Sequence, residues 1–292
     1  MASWTATEAG ALAAEGADGP RRAVLVTGAA GSIGSYFAEQ SRDKYALRLM
    51  VRGDEAGVES IRPFGEVVQA DLADLGRLKE VCAGMDTVVH LAGDPRPSAP
   101  WRDLLDTNII GTYNLFAAAK TAGVRRVIYA SSIHAVSGYP ADVQVKTGEP
   151  VNPGDLYGVS KCFGEALCRY MAGQEGISAI ALRIGAFQPV EAVRSDWGLK
   201  MLDAFVSHRD LDQLINRCID VENLQFAIFH GLSDNRFKRL DISDARALVG
   251  YAPQDDSTEE LPGLKDKHLR AAVGTNSGVA DGHPSGLQAD IG

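Results

Sequence analysis

Short runs of consecutive apolar residues alternate along this chain with longer stretches in which apolar positions recur every three or four residues. The runs predict strands over Ala23–Gly28, Leu47–Val51, Glu66–Ala70, Thr87–Ala92, Arg126–Ser131 and Ala179–Gly185. The stretches predict helices near Ser32–Arg42, Leu75–Ala83, Trp101–Ala122 and Leu156–Gly173. Strands that are apolar throughout and set between helices belong to a parallel sheet covered on both faces. The expected fold is therefore α/β, a doubly wound parallel sheet of Rossmann type, with ligand at the carboxyl ends of the strands. After Gly185 the pattern loosens. Gln188–Leu214 reads as loop and helix, Phe226–His230 as a further strand and Ser243–Leu248 as a short helix.

The first strand runs into Thr27-Gly28-Ala29-Ala30-Gly31-Ser32-Ile33-Gly34, with three glycines spaced by three. Gly28 allows a tight turn, Gly31 lets backbone approach a pyrophosphate at the helix N-terminus, and Gly34 permits close helix–strand packing. Further on, Tyr157 and Lys161 lie four apart, on one face of the fourth helix. An ammonium beside a phenol favours the phenolate and is expected to lower the tyrosine pKa. Such a phenol can take a proton from an alcohol or return one to a carbonyl. Ser132 lies 25 positions before Tyr157, where a hydroxyl could steer the same oxygen. Serine, tyrosine and lysine in this order point to redox chemistry at an alcohol carbon.

These motifs divide the chain. Residues 22–186 read as a dinucleotide-binding domain and 187–263 as a small C-terminal substrate-binding region packed on it. Residues 1–21 read as a flexible leader and 264–292 as a flexible tail, both rich in small and polar residues. The 292 residues suffice for a large core. The net charge of -9 argues against nucleic acid or an anionic membrane as the main partner. No apolar run reaches bilayer-spanning length. The first twenty residues lack a basic-then-apolar targeting pattern, so a cytoplasmic location is expected. Cys82, Cys162, Cys168 and Cys218 lack paired spacing and read as reduced thiols, with no metal site.

Five ordered motifs between Ala23 and Gly185 resemble the extended short-chain dehydrogenase/reductase superfamily, which includes the NAD-dependent epimerases and dehydratases. They are the glycine loop, Asp71-Leu72, His90-Leu91-Ala92-Gly93, Asn108-Ile109-Ile110-Gly111-Thr112, and Tyr157 with Lys161. Within the superfamily the chain is most similar to the uronate dehydrogenases, which oxidise a sugar acid at C1 to a lactone. Ala130-Ser131-Ser132-Ile133-His134, Gly138-Tyr139-Pro140, Leu156 to Glu165, Leu182-Arg183-Ile184-Gly185, Met201-Leu202, Ser207-His208 and Val249 to Pro253 carry that likeness. The resemblance implies catalysis by Ser132, Tyr157 and Lys161. It implies cofactor contacts at Gly28, Gly31, Ser32, Ile33, Gly34, Arg52, Asp71, Leu72, Leu91, Ala92, Gly93, Asn108, Ser131, Tyr157, Lys161 and Ile184. It implies substrate contacts at Ser132, Ile133, His134, Tyr157, Ala186 and Lys200.

The chain departs from that pattern at several contacts. Ile133 replaces an asparagine, Ala186 a serine, and Asp94-Pro95 a serine. The family's carboxylate-binding arginine falls near Lys200, or near Arg194 under a different placement of the residues between. A neutral aldose is therefore as admissible as a uronic acid, since a site built on substrate hydroxyls discriminates strongly when such groups change. The second strand ends Val51-Arg52-Gly53-Asp54. A carboxylate there suits the NAD ribose and an arginine suits the NADP phosphate, so Arg52 favours NADP over NAD. The alternative has Arg52 on adenine or in solvent and Asp54 on the ribose. His134 reads either as a substrate contact or as a packed strand-end residue, and Trp101 as helix–sheet packing. The expected activity is NAD(P)-dependent oxidation of a sugar or sugar acid. A sugar-nucleotide epimerase or dehydratase using the same trio is the alternative, and a non-catalytic NAD(P)-sensing protein a lesser one. A homo-oligomer is expected through the helices from Trp101 and Leu156, where Ala117, Ala118, Ala119 and Leu167–Tyr170 would pack.

Overall fold

The structure, a computed structural model, describes residues 21–53, 56–194 and 202–259. Nearly all of the expected leader, the whole expected tail, Asp54, Lys200 and Met201 lie outside the described residues. Seven strands form one parallel sheet: β1 Ala23–Thr27, β2 Ala46–Val51, β3 Glu66–Gln69, β4 Thr87–His90, β5 Arg126–Ser132, β6 Ser178–Ile184 and, outermost, β9 Phe226–Gly231. Their order is β3-β2-β1-β4-β5-β6-β9, so the chain reverses direction across the sheet between β1 and β4. Every pair is parallel, which puts all carboxyl ends on one edge. That reversal opens a crevice there, the place where α/β sheets bind ligands.

Side-chain alternation explains why both faces are covered. Val24, Val26, Val89, Ile128, Ile180 and Leu182 face one way, onto α1 (Ser32–Ser41), α7 (His208–Asp220) and α8 (Ser243–Val249). Leu25, Val88, Val127, Tyr129, Ala179 and Ala181 face the other, onto α3 (Leu75–Cys82), α5 (Thr112–Thr121) and α6 (Leu156–Gly173). One short helix, α2 (Val58–Ile61), precedes β3. A strand buried on both faces must be apolar at every position, hence the continuous runs in the sequence.

Three features depart from the sequence reading. The helix expected over Trp101–Ala122 is interrupted. A single turn, α4 (Trp101–Leu104), passes into a π-helical stretch, Leu105–Gly111, before α5. Trp101 is exposed rather than packed between helix and sheet. The segment read loosely after Gly185 contains a small parallel pair, β7 (Ala186–Gln188) with β8 (Phe205–Ser207), ahead of the expected helix, α7. Beyond α8, the Tyr251 hydroxyl donates to the Leu232 carbonyl at 2.8 Å. The Asp210 carboxylate of α7 accepts from the Gln254 and Asp255 amides at 2.9 and 3.1 Å, tying the closing segment down.

Helix starts follow local chemistry. Asp74, Asp155 and Ser207 cap α3, α6 and α7 through side-chain oxygens. Each such cap stabilises its helix by about 1 kcal/mol. Helix α1 begins at Gly31 and has no side-chain cap, so its first amides are left to another acceptor.

Candidate active site

The glycine loop closes over the carboxyl end of β1. Gly28 has φ +66, a conformation that favours glycine, and a Cβ there would stand 2.9 Å from the Ala92 amide nitrogen. A Cβ on Gly34 would stand 2.4 Å from the Gly28 carbonyl oxygen, so the helix presses directly on the loop. Ser32 and Ile33 form the first turn of α1. Uncapped amides at the positive end of a helix dipole, reached over bare glycine backbone, suit a pyrophosphate. These residues fit a dinucleotide, with Gly28, Gly31, Ser32, Ile33 and Gly34 as its phosphate cradle.

Other expected cofactor residues gather on the same edge. Leu91, Ala92 and Gly93 follow β4, anchored by the Ala92 amide donating to Thr27 Oγ1 at 3.1 Å. Buried His90 pairs its Nδ1 with Thr27 Oγ1 at 2.8 Å, and burial holds its pKa down at about 3. That histidine is a neutral brace between strands. Asp71 lies in the turn after β3 and accepts the Ala73 amide at 2.8 Å. Leu72 accepts from Asn114 Nδ2 through its carbonyl at 2.9 Å and lies against Gly111. Arg52 is exposed just after β2, and its carbonyl accepts from Gln69 Nε2 at 3.0 Å. Ile184 and Ala186 end β6 and open β7.

The reactive trio is brought together at the end of β5 and the start of α6. Ser132, Tyr157 and Lys161 are all buried. The Ser132 hydroxyl lies close enough to the Tyr157 phenol to favour its ionised form. Lys161 Nζ donates to the Ala130 carbonyl at 3.0 Å and stands 5.4 Å from the Tyr157 ring centroid. The phenol does not titrate low here, contrary to the expectation from the lysine alone. Burial pushes Tyr157 up to about 12, against the opposing pull of the Ser132 hydroxyl. Burial also pushes Lys161 down to about 8, opposed by the Asp94 carboxylate. Desolvation disfavours charge on both groups and outweighs what Ser132 and Asp94 contribute in the other direction.

His134 sits at the site edge-on to Tyr157, with ring centroids 5.4 Å apart. Its Nδ1 pairs with Asp155 Oδ2 at 2.7 Å, while Asp155 Oδ1 accepts the Gly158 amide at 2.7 Å. One carboxylate therefore caps the catalytic helix and orients the histidine. Asp155 was missed in the sequence, although an acidic residue just before a helix is a cap signal. Asn108, in the π stretch, donates through Nδ2 to Ser160 Oγ at 3.0 Å, and Ser160 Oγ donates to the Tyr157 carbonyl at 2.7 Å. Asn108 thus braces the helix backbone, and Lys161 is held by Ala130 instead.

Ser131 joins a buried polar cluster through its side chain. Its hydroxyl donates to Glu165 Oε1 at 2.6 Å, and Glu165 accepts from Arg183 Nε and Nη2 at 2.8 and 2.9 Å. Ser131, Arg183 and His230 are in register on adjacent strands, and the paired charges bolt α6 onto them. Ile133 is buried beside the trio. Tyr36, Phe187 and His208, which the sequence did not single out together, form an aromatic group: Phe187 stacks on His208 at 4.2 Å, with Tyr36 5.0 Å from the same ring. They join α1, β7 and α7.

The profile of the NAD dependent epimerase/dehydratase family matches residues 24–188 of the chain. The chain is 38% identical over 255 residues to the NAD-dependent glucose-6-phosphate dehydrogenase of Haloferax volcanii, a match covering 81% of this chain and 94% of that protein. It is 32% identical over 266 residues to the uronate dehydrogenase of Pseudomonas putida, covering 91% and 93%. Among solved structures, uronate dehydrogenase from Agrobacterium tumefaciens matches with a TM-score of 0.72 and 34% identity, covering 82% of this chain and 86% of that one.

Proposed function

Since the chain belongs to the NAD dependent epimerase/dehydratase family, we propose that it is an NAD(P)-dependent dehydrogenase that oxidises an aldose or aldose acid at C1 to the lactone. The observation that carries this reading is the buried Ser132–Tyr157–Lys161 cluster at the same sheet edge as the glycine cradle. Relatives named as sugar dehydrogenases, matched along most of their length, support it over an epimerase. Retention of both Tyr157 and Lys161 speaks against a purely sensing role.

The chain's residues divide the work. Ser132 and Tyr157 hold the anomeric hydroxyl between them, and Tyr157 takes its proton. Lys161 supplies the positive charge that favours the phenolate. His134, oriented by Asp155, contacts the sugar beside Tyr157. Asn108, through Ser160, keeps the first turn of α6 in place. The cofactor, when bound, supplies the hydride acceptor and a positively charged nicotinamide that further favours the phenolate. Arg52 at the end of β2 supports acceptance of NADP alongside NAD. Ile133 and Ala186 offer no polar atom beyond their backbone, which supports an aldose substrate over strict dependence on a carboxylate.

Absorbance of reduced nicotinamide is the test, with NAD and NADP offered separately against aldoses, aldose phosphates and uronic acids. Stoichiometric reduction with one sugar is expected. Bound cofactor with no net reduction across the panel would replace this reading with the epimerase one.

The quaternary and cellular parts of the proposal rest on separate features. Ile110, Tyr113, Val159 and Tyr170 are exposed on the helices around α5 and α6, which supports association with a second copy, measurable by sedimentation. The expected alanine stripe does not serve this face, because Ala118 and Ala119 are buried in the core. The four cysteines are unpaired, which supports a reducing, cytoplasmic setting. No helix among the described residues is long and apolar enough to cross a membrane.

A further inference from the structure

One carboxylate in the neighbourhood of Lys161 has no role yet. Asp94 lies in the loop after β4, with its amide donating to Asn108 Oδ1 at 2.7 Å and its carbonyl accepting from Asn108 Nδ2 at 3.0 Å. A Cβ on neighbouring Gly93 would stand 3.8 Å from Lys161 Nζ, so the loop backbone passes directly over the ammonium. The Asp94 side chain is only 11% exposed, whereas its partner Arg96 is 59% exposed. Arg96 grips that carboxylate: its amide donates to Oδ1 at 2.9 Å, and Nε donates to Oδ1 and Oδ2 at 2.9 and 3.2 Å. Its Nη2 also bonds Asp94 and reaches Asp103 at 3.1 Å.

We propose that Asp94 is a positioning residue for Lys161, its carboxylate keeping the ammonium charged, and that Arg96 tunes it by offsetting part of that negative field. This rests on the role given to Lys161 above. Other groups around the lysine leave the task to Asp94. On its own helix, Tyr157 is neutral and Glu165 is committed to Ser131 and Arg183. From β5 come the Ala130 carbonyl and the Tyr129 ring, 5.3 Å away. From β4 comes His90, held neutral by burial. Asp155 is taken up by His134 and the Gly158 amide. Asp94 acts on both reacting groups in the same sense, raising the affinity of Lys161 and of Tyr157 for their protons. It therefore places the whole pH window of the reaction, not one limb of it.

The test is opposite in sign for two variants. Lysine-labelled protein without cofactor or substrate is titrated by NMR, the Lys161 signal being assigned with Lys161→Met. In Asp94→Asn the Lys161 midpoint is expected to fall by about half a pH unit or more, with Asp94→Glu restoring it. In Arg96→Gln the unmasked carboxylate is expected to raise it. Both limbs of the kcat/KM profile should follow the same signs. Midpoints unchanged in both variants, or displaced in the same direction as loop loosening would displace them, overturn the proposal. If Asp94→Asn does not fold, Arg96→Gln decides alone: no upward shift overturns it. The titration needs no sugar. A silent substrate panel would therefore count against the dehydrogenase reading only, and a flat titration in an active enzyme against Asp94 only.

Discussion

At the scale of single residues, the site works against the solvation preferences of its own groups. A phenol held at about 12 and an ammonium held at about 8 both have their charged forms disfavoured by burial, and their cooperation depends on charge arriving next to them. Because Lys161 loses its proton at about 8, well before Tyr157 would at about 12, oxidation is expected to depend on bound cofactor lowering the phenol, and to slow above about 8 as Lys161 is discharged. Tyr157→Phe is expected to reduce kcat by about a hundredfold or more, leaving the dissociation constant for the cofactor, read by fluorescence, within about twofold of the original. A comparable loss of cofactor binding would show that the phenol does more than move a proton. Arg52→Asp is expected to shift the ratio of kcat/KM values for NADP and NAD toward NAD by roughly tenfold, about the worth of one charge-assisted hydrogen bond. An unchanged ratio would place Arg52 away from the ribose. The trio and the glycine loop were legible from residue type and spacing. The neutral state of the phenol was not, because burial is not written in a spacing of four.

At the scale of elements, one helix carries the proposed reacting groups Tyr157 and Lys161, and its seat on the sheet is set by an absence of side chain. A Cβ on Gly164 would stand 2.2 Å from Tyr129 Cζ, so α6 lies tightly against β5. Gly164→Ala is expected to push α6 outward, destabilising the fold by about 1–3 kcal/mol in denaturant unfolding and lowering kcat through displacement of Tyr157 and Lys161. Unaltered stability would mean that the Tyr129 ring yields without cost. Helix α1 makes the complementary case. Its uncapped start and bare glycines were readable as an anion cradle, whereas the caps Asp155 and Ser207 show their meaning only with helix boundaries in hand. The π stretch was not legible either. It adds one residue to a turn, which a helical period of apolar positions does not resolve, and it carries Asn108.

At the scale of the whole molecule, the last third of the chain closes over the sheet through buried polar groups, several of which carry an uncompensated atom. Asp212 of α7 has an oxygen that is buried without a hydrogen-bond partner among the described residues, and burial raises its pKa to about 7 against the pull of Lys44. The folded state then retains a proton that the unfolded chain releases from near pH 4. Stability is expected to fall as pH rises from about 4 to about 7 and to level off above. Asp212→Asn should therefore raise Tm by several degrees at pH 8 and by less at pH 5, and an equal gain at both pH values would remove this account. The sequence by itself determined the parallel sheet and the family, and it singled out the residues proposed as cradle and trio, because each depends on period, spacing or residue type over a short span. Only the tertiary structure decided that Ser131 serves the Glu165–Arg183 pair, that Asp155 orients His134, and that Asp94 overlooks Lys161. Those contacts join strands and helices distant in sequence, and their energies depend on how much water the packed chain excludes.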